Sequence, residues 1–98
     1  MPKVIIWSRQ ADIDLMQLTE YLLNNYGARK ADDFIDLVEE FTNEISKNPQ
    51  TYRMISKKLK VHKCVVTKQN SLYYHEIDNH VEIIRLFDNR QDPKKLQF

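Results

Sequence analysis

The sequence predicts an α+β fold, with an N-terminal strand and an antiparallel helical hairpin packed on a mainly antiparallel β-sheet. Two observations lead to this class. Apolar residues recur at helical spacing up to position 47, and beyond Pro49 they alternate with a period of two. Helical and extended segments are thus separated along the chain, which favours helices gathered on one side of an antiparallel sheet.

The first strand and the first helix are predicted between Val4 and Gly27. The run VIIW at residues 4–7 is β-branched and aromatic, which is typical of a strand. Ser8 can accept hydrogen bonds from the free amides of a helix start, and Gly27 can end the helix because glycine adopts a positive φ at little cost. The apolar stripe of this helix consists of Ala11, Leu15, Leu18, Leu22 and Tyr26.

The second helix is predicted from about Ala28 to Lys47, and Pro49 prevents its continuation. The short connection at Gly27 implies that the two helices are antiparallel. The acidic residues of this helix lie mostly off its apolar stripe and are interpreted as a solvated face. The stripe consists of Ala31, Phe34, Val38, Phe41 and Ile45.

Three strands are predicted in the second half of the chain, over residues 59–67, 71–77 and 81–87. Asp78 and Asn79 suit a two-residue hairpin loop, from which the register of the last two strands follows by counting. The expected pairs are Ile77 with His80, His75 with Glu82, Tyr74 with Ile83, and Leu72 with Arg85.

The alternation of these strands divides the side chains between two sheet faces. One face is expected to carry Leu72, Tyr74, Val81, Ile83 and Phe87, along with Glu76 and Arg85. The other is expected to carry Tyr73, Ile77, Ile84 and Leu86, along with His75 and Glu82. The helices can cover only one face, and the sequence leaves open which. The other face is expected to be semi-exposed and available to a partner.

Length and composition restrict the class of protein. The 98 residues are expected to form a single domain, residues 1–98, with 42% hydrophobic and 30% charged residues. The apolar runs are too short to span a membrane and no secretory signal is recognisable, so we expect a cytoplasmic protein with no membrane partner. Cys64 is the only cysteine, which excludes an intrachain disulfide and a cluster of thiol metal ligands. Nothing in the sequence indicates a cofactor or a bound metal.

The net charge of +1 conceals an uneven distribution. Residues 1–44 carry four basic and nine acidic side chains, whereas residues 45–98 carry eleven basic and five acidic ones. No acidic residue lies between Glu44 and Glu76. This stretch favours a polyanion or an acidic protein as partner, and it is equally compatible with a solvated basic surface.

Five short motifs, spread over nearly the whole chain, make the sequence similar to a known family. They are Trp7 before the first predicted helix, Phe34 in the second, Asn48-Pro49 before the basic segment, Leu72-Tyr73-Tyr74, and the ending EIIRLFDNRQDP at residues 82–93. With these motifs the chain resembles the toxins of the RelE/ParE superfamily from bacterial type II toxin–antitoxin systems. The RQDP ending together with the tyrosine pair is fairly specific to ParE-like plasmid-stabilisation toxins. The resemblance implies a RelE-like fold.

The resemblance also implies partners. A cognate antitoxin would wrap the toxin with an extended segment, covering the basic sheet face and the helical groove, and a heterotetramer with the antitoxin is one assembly that this allows. ParE-like members poison DNA gyrase, whereas RelE-like members cleave messenger RNA on the ribosome. A diverged module that binds its partners but has lost toxicity is a third reading.

Arg90 is the first candidate site residue, because it matches the position after the last strand where RelE-like enzymes carry a phosphate-binding arginine. The alternative is a salt bridge to Asp88, Asp92 or the C-terminal carboxylate. The other catalytic candidates are Lys60 and Lys63, which are expected on the first of the last three strands. Residues three apart on a strand point to opposite faces, so at most one of the two lysines can share a given site.

Further candidates for contact with a target or partner are Lys57, Lys58, His62, Arg85 and Lys94. His62 could act as a base near neutral pH, and its sheet face is left open. His75 is instead expected to pair with Glu82 across the strands. Cys64 is expected in the core and not as a nucleophile.

The C-terminal tail is expected to begin a short helix. Asp92 suits the capping position and Pro93 the first turn. Lys94, Lys95, Leu96 and Phe98 could form a short docking tail, but Leu96 and Phe98 are rather expected to pack back onto the sheet.

Two departures from the RelE-like pattern favour the ParE-like reading. RelE-like ribonucleases carry an arginine late in the first long C-terminal strand, where this chain reads CVVT. They also carry a tyrosine or histidine after the last strand, where the tail QDPKKLQF has neither. General acid and base groups for RNA cleavage are therefore missing at the expected positions. A toxin that acts by binding needs none, and whether the chain is an enzyme stays open.

Overall fold

Two α-helices pack on one face of a five-stranded sheet, and the computed structural model describes residues 2–96 and 98. The elements in chain order are β1 (Val4–Trp7), α1 (Arg9–Tyr26), α2 (Ala28–Lys47), β2 (Arg53–Ser56), β3 (Val61–Val65), β4 (Asn70–Ile77), β5 (His80–Asp88) and a short 3₁₀ helix (Pro93–Lys95). The strands lie in the order β1-β5-β4-β3-β2, with β1 parallel to β5 and the other neighbours antiparallel. The predicted α+β class is confirmed. Neither α1 nor α2 has the length and apolarity needed to cross a bilayer.

Ser8 joins β1, α1 and β5. Its Oγ accepts a hydrogen bond from the Ala11 amide at 3.0 Å and donates one to the Ile84 carbonyl at 2.7 Å. Its own amide donates to the Ile83 carbonyl at 2.9 Å. The predicted cap is confirmed, and the same side chain fixes the start of α1 against β5.

Gly27 separates the two helices. Its backbone lies at φ 95° and ψ 171°, a region that essentially only glycine occupies. Its amide donates to the carbonyls of Leu22 and Leu23, both at 3.1 Å, which ends α1 as predicted. Tyr26 departs from the expected buried stripe, because it is 61% exposed in the last turn of α1.

β2 is an edge strand that the sequence pattern does not reveal. Its four residues, RMIS, show no alternation of apolar and polar side chains, and three of them are exposed. Met54 lies opposite His62, and the register with β3 shifts before Ser56. The strand predicted over residues 59–67 is shorter than expected, because residues 57–60 form the turn between β2 and β3.

A β-bulge in β5 changes the predicted register of the last hairpin. The expected pairs hold from the Asp78-Asn79 loop as far as Tyr74 opposite Ile83. Tyr73 then lies opposite Arg85, so one additional residue, Ile84, is accommodated in β5.

The bulge exchanges the faces predicted for the end of β5. Leu72 lies opposite Leu86, so the predicted pairing of Leu72 with Arg85 is wrong. One extra residue inverts the alternation of side chains beyond it. Leu86 consequently packs beneath the helices, whereas Phe87 lies on the other side of the sheet.

The sheet has a helix-covered face and an open face. The main core, between the helices and the helix-covered face, contains Ala11, Phe34, Val38, Ile45, Cys64, Val66, Leu72, Tyr74, Val81, Ile83 and Leu86. Each large apolar side chain buried there contributes about 1.5–3 kcal/mol to stability. A smaller cluster on the open face contains Val61, Tyr73 and Phe87, with Ile84 and Leu96 packed against it.

Candidate functional site

Arg90 lies in the turn that follows β5 and pairs with Asp88. Its Nη2 is 2.7 Å from Asp88 Oδ2 and its Nε is 3.0 Å from Asp88 Oδ1, while the Arg90 amide donates to the same Oδ1 at 2.8 Å. These hydrogen bonds hold the pKa of Asp88 below its ordinary value and raise that of Arg90. The guanidinium side chain is still 62% exposed. The sequence left open whether Arg90 forms a salt bridge, and the structure contains one, to Asp88.

A polar cleft of about 400 Å³ lies between α1 and the end of β5. Arg90 and Asp88 form one wall of it, and Leu18 and Leu86 contribute apolar surface. The polar side chains that α1 contributes to it are Gln10, Asp14, Gln17 and Tyr21.

Arg85 is bound to Asp14 on α1, and the sequence reasoning did not identify this partner. Arg85 Nε is 2.8 Å and Nη2 3.2 Å from the Asp14 carboxylate, which also accepts the Leu86 amide at 3.1 Å. The two charged side chains are only 17% and 8% exposed. β1 ends at Trp7, so no strand lies beside Leu86 on that side of β5. The Asp14 carboxylate therefore accepts a hydrogen bond from a backbone amide that has no partner in the sheet. This geometry gives Arg85 a structural role and does not support its expected role in partner contact.

The lysines predicted as site residues fall in two places. Lys57, Lys58 and Lys60 are exposed in the turn between β2 and β3, and Lys60 has a positive φ of 55°. The prediction that Lys60 lies on a strand is therefore wrong. Lys63 does lie on β3, on the open face, with its Nζ 5.9 Å from the centre of the Tyr73 ring.

Two of the three catalytic candidates, Lys60 and Arg90, lie at opposite ends of the sheet. His62 lies opposite Tyr74, so Lys60 lies at the level of Glu76 along β4. Asp88 lies opposite Asn70, so Arg90 lies beyond the other end of β4. At about 3.3 Å per strand residue, the Lys57–Lys60 turn and Arg90 are separated by roughly 20 Å along the sheet.

The histidines are engaged within the fold. His62 is 3% exposed, its ring stacks on Tyr74 at 5.0 Å between centroids, and its Nδ1 is 2.9 Å from the Tyr52 carbonyl oxygen. This burial does not support the expected contact of His62 with a target. His75 Nε2 lies 2.7 Å from Glu82 Oε1, which confirms the predicted cross-strand pair.

Cys64 is fully buried on β3, and the partly buried Tyr52 packs against the same core. Tyr52 donates its hydroxyl hydrogen to Glu44, and burial with this hydrogen bond raises the pKa of Tyr52. Burial raises the pKa of the Cys64 thiol to about 11, so the nucleophilic thiolate is suppressed at neutral pH. The fully buried position confirms the expectation of a core cysteine.

The C-terminal segment folds over the open face. Asp92 Oδ1 accepts the Lys94 amide at 3.0 Å and Pro93 occupies the first turn, as predicted, although the helix is of the 3₁₀ type. Leu96 packs against the open-face cluster, and the Phe98 ring lies 5.4 Å from that of Tyr73. Lys94 itself is exposed.

A second exposed surface lies at the end of the sheet opposite to Arg90, and we call it the basic edge. It combines the β2 edge strand with the turn that follows it. Three large apolar side chains are exposed there, Met54 at 40%, Ile55 at 39% and Leu59 at 49%. Four basic residues lie among them in the sequence, Arg53, Lys57, Lys58 and Lys60.

Solved structures with the same fold include toxins and toxin–antitoxin complexes. The chromosomal ParDE toxin–antitoxin system from P. aeruginosa aligns with a TM-score of 0.75 and 17% identity, covering 88% of this chain and 95% of that one. The RelBE2 complex from Mycobacterium tuberculosis aligns with a TM-score of 0.63 and 18% identity, over 91% and 100% of the two chains. The heterotetrameric YoeB–YefM complex from Staphylococcus aureus gives a TM-score of 0.60 and 16% identity, over 93% and 100%.

The sequence itself matches one family. No curated protein sequence matches the chain. A sequence model described as the ParE toxin of the type II toxin–antitoxin system parDE matches residues 5–93. Since this match includes both helices, all five strands except the first residue of β1, and the Arg90 turn, the chain belongs to the ParE toxin family of type II toxin–antitoxin systems.

Proposed function

We propose that the chain acts by binding, as a toxin that inhibits DNA gyrase and is neutralised by a cognate antitoxin. Membership of the ParE family supports this mode of action. The observation that carries the choice is the separation of roughly 20 Å along the sheet between the Lys57–Lys60 turn and Arg90. A ribonuclease centre needs its base, its cations and its proton donor within hydrogen-bond reach of one phosphate. Lys60 and Arg90 are too far apart to contact one phosphate, and they are better suited to two protein-binding surfaces.

The basic edge is the surface that best suits the antitoxin. An edge strand can pair with an extended segment of another chain, and the exposed Met54, Ile55 and Leu59 offer apolar contacts to alternate side chains of that segment. The neighbouring lysines complement an acidic or amphipathic tail. The heterotetrameric YoeB–YefM complex, which shares the fold, supports a similar assembly for this toxin and its antitoxin.

A ribosome-dependent ribonuclease is the second candidate function. The observation that favours it is Lys63 on the open face, whose Nζ lies 5.9 Å from the centre of the Tyr73 ring and could contact a phosphate. Tyr73 itself is buried beneath the C-terminal segment, so its ring is not available to stack a base. His62 is buried and His75 is paired with Glu82, so neither is free to act as the general base.

Induction of the chain alone in bacterial cells distinguishes these functions. Gyrase inhibition predicts a DNA-damage response and halted replication before translation falls. Transcripts cut within codons, mapped by sequencing their 5′ ends, would instead establish the ribonuclease. Unimpaired growth with normal amounts of folded protein would indicate a module that has lost its toxicity.

A further inference from the structure

Two tyrosines and one arginine form an exposed surface beside the cleft between α1 and β5. The rings of Tyr21 and Tyr26 meet edge to face, with 6.2 Å between centroids and 67° between planes. They are 48% and 61% exposed, and they belong to neither hydrophobic cluster. Tyr21 and Arg90 line the same cleft, which brings the aromatic pair and the exposed guanidinium together.

We propose that Tyr21, Tyr26 and Arg90 form the surface that binds the target protein, with the Arg90 guanidinium receiving a carboxylate of that protein. We call these three residues the tyrosine–arginine surface. The inference deepens the proposed inhibition of gyrase and rests on it. It assigns the antitoxin and the target to opposite ends of the sheet.

The residue types are those that carry most of the binding energy at protein interfaces. Tyrosine and arginine are enriched among such residues, and a tyrosine side chain loses little conformational entropy on binding because only two torsions must be fixed. The Nε and Nη2 groups of Arg90 are already hydrogen-bonded to Asp88. This long side chain is therefore ordered before the partner binds, which reduces the entropy lost on binding. None of the hydrogen bonds among residues 2–96 and 98 uses Arg90 Nη1, which leaves its N–H groups for an acceptor on the partner.

The charge around the cleft favours a protein over a nucleic acid. Two guanidinium groups line the cleft, and each is paired with a carboxylate, Arg85 with Asp14 and Arg90 with Asp88. These four groups have no net charge and therefore create no positive field to attract a polyanion. A single carboxylate can still bind Arg90 because its recognition depends on directed N–H groups.

The neutral cleft also differs in charge from the surface proposed for the antitoxin. The basic edge carries four basic residues, Arg53, Lys57, Lys58 and Lys60, and suits a strongly acidic segment. The cleft has polar walls that include Gln10 and Gln17, and its volume of about 400 Å³ has room for several side chains of a neutral, polar surface. The geometry thus assigns the tyrosine–arginine surface to the target.

Inhibition of purified gyrase by the full-length toxin tests the assignment. The variants are Tyr21→Ala with Tyr26→Ala, Arg90→Ala, and all three together, with Arg90→Lys to retain charge without the planar fork. Each of the first two changes is expected to raise the half-inhibitory concentration about 10–30-fold, as truncation of dominant interface residues does, and Arg90→Lys is expected to recover little of the loss. The controls are Met16→Ala and Lys30→Ala, two exposed residues outside the surface. Binding to the antitoxin, the product of the adjacent reading frame, is measured in parallel and is expected to stay within about threefold.

The possible outcomes are distinct. If all the tyrosine and arginine variants inhibit gyrase as the unaltered toxin does, the assignment is wrong although the proposed function stands. Lost antitoxin binding with retained inhibition would assign the surface to the antitoxin. Loss of binding to a single-stranded oligonucleotide, with a steep salt dependence, would assign it to nucleic acid. If the unaltered toxin has no effect on gyrase, the proposed function and the assignment both fail. Thermal unfolding of every variant, followed by circular dichroism, identifies any loss that comes from misfolding.

Discussion

At the scale of single residues, Asp88 determines how Arg90 is presented to a partner. The hydrogen bonds from Arg90 hold the pKa of Asp88 below its ordinary value of 3.8. Arg90→Ala is therefore expected to raise the Asp88 pKa towards that value, measured by NMR titration of the side-chain carboxyl. The Lys30→Ala variant, which alters a remote cation, should leave it unchanged.

The pair between Asp88 and Arg90 should make little difference to folding. A depressed carboxyl pKa in the native state stabilises the fold above the ordinary pKa, and that contribution is lost as pH falls below about 4. Since Arg90 is largely exposed, solvent screens the pair and the change in unfolding free energy is small. An unshifted Asp88 titration in Arg90→Ala would mean that the two side chains are not paired in solution.

Cys64 gives the protein a sensitivity to alkaline pH. Burial raises the pKa of its thiol to about 11, so the folded protein favours the neutral form. The stabilisation is complete below the ordinary pKa of the thiol, about 8.5, and is lost as pH rises towards 11. The free energy of unfolding, measured in denaturant at intervals from pH 8 to pH 10, is expected to fall across this range.

The Cys64→Ala variant supplies the control for this fall. Removing the thiol should flatten the decline between pH 8.5 and pH 10, although the variant is less stable at every pH because it leaves a small cavity. Tyr74 is buried, Tyr52 is partly buried, and both have raised pKa values, so they act in the same direction at higher pH. Parallel curves for the two proteins would show that the thiol does not contribute.

The individual residues that could be predicted from the sequence act through local geometry. Ser8 and Gly27 are recognisable because a cap or a positive φ depends on the few residues around it. His75 and Glu82 are recognisable because a two-residue loop fixes their register. Asp14 is not, because its partner Arg85 is 71 residues away and only the packing of α1 on β5 brings the two together.

At the scale of elements, Asp14 secures α1 to the end of β5. Asp14→Ala removes the partner of a largely buried guanidinium and leaves the Leu86 amide without its acceptor. We expect the unfolding free energy to fall by roughly 2–3 kcal/mol, measured by chemical denaturation. Asp14→Asn should lose less, because the amide oxygen can still accept the Leu86 hydrogen.

Glu20→Ala is the matched control for this element. Glu20 is an exposed acid on the same helix, so its removal should change the unfolding free energy by less than about 0.5 kcal/mol. Equal losses for Asp14→Ala and Glu20→Ala would show that the bond to Arg85 does not secure the helix.

The elements differ in how far the sequence predicts them. Both helices and the last hairpin follow from long periodic patterns and a recognisable loop. The bulge at Ile84 has no comparable signal in the sequence. The neighbouring Ile, Leu and Phe residues suit either face of the sheet, so their pattern does not show where an extra residue is inserted. β2 has none either, because an exposed edge strand of four residues needs no alternation.

At the scale of the whole molecule, the basic charge seen in the second half of the sequence is distributed between distant surfaces. The lysines of the β2–β3 turn lie at one end of the sheet and Arg90 at the other, while Arg85 is bound within the fold. The sequence could predict the family and the candidate residues. It could not predict their distribution, because that depends on the added strand β2 and on the length of the turn at residues 57–60. The arrangement supports a toxin with two protein-binding ends.

The supercoiling activity of purified gyrase, measured with increasing toxin and then with added antitoxin, tests this account most directly. The account predicts that toxin alone abolishes supercoiling of relaxed plasmid, that equimolar antitoxin restores it, and that the same toxin leaves messenger RNA intact on translating ribosomes. Unimpaired supercoiling, together with cleavage of ribosome-bound messenger RNA that antitoxin prevents, would contradict it.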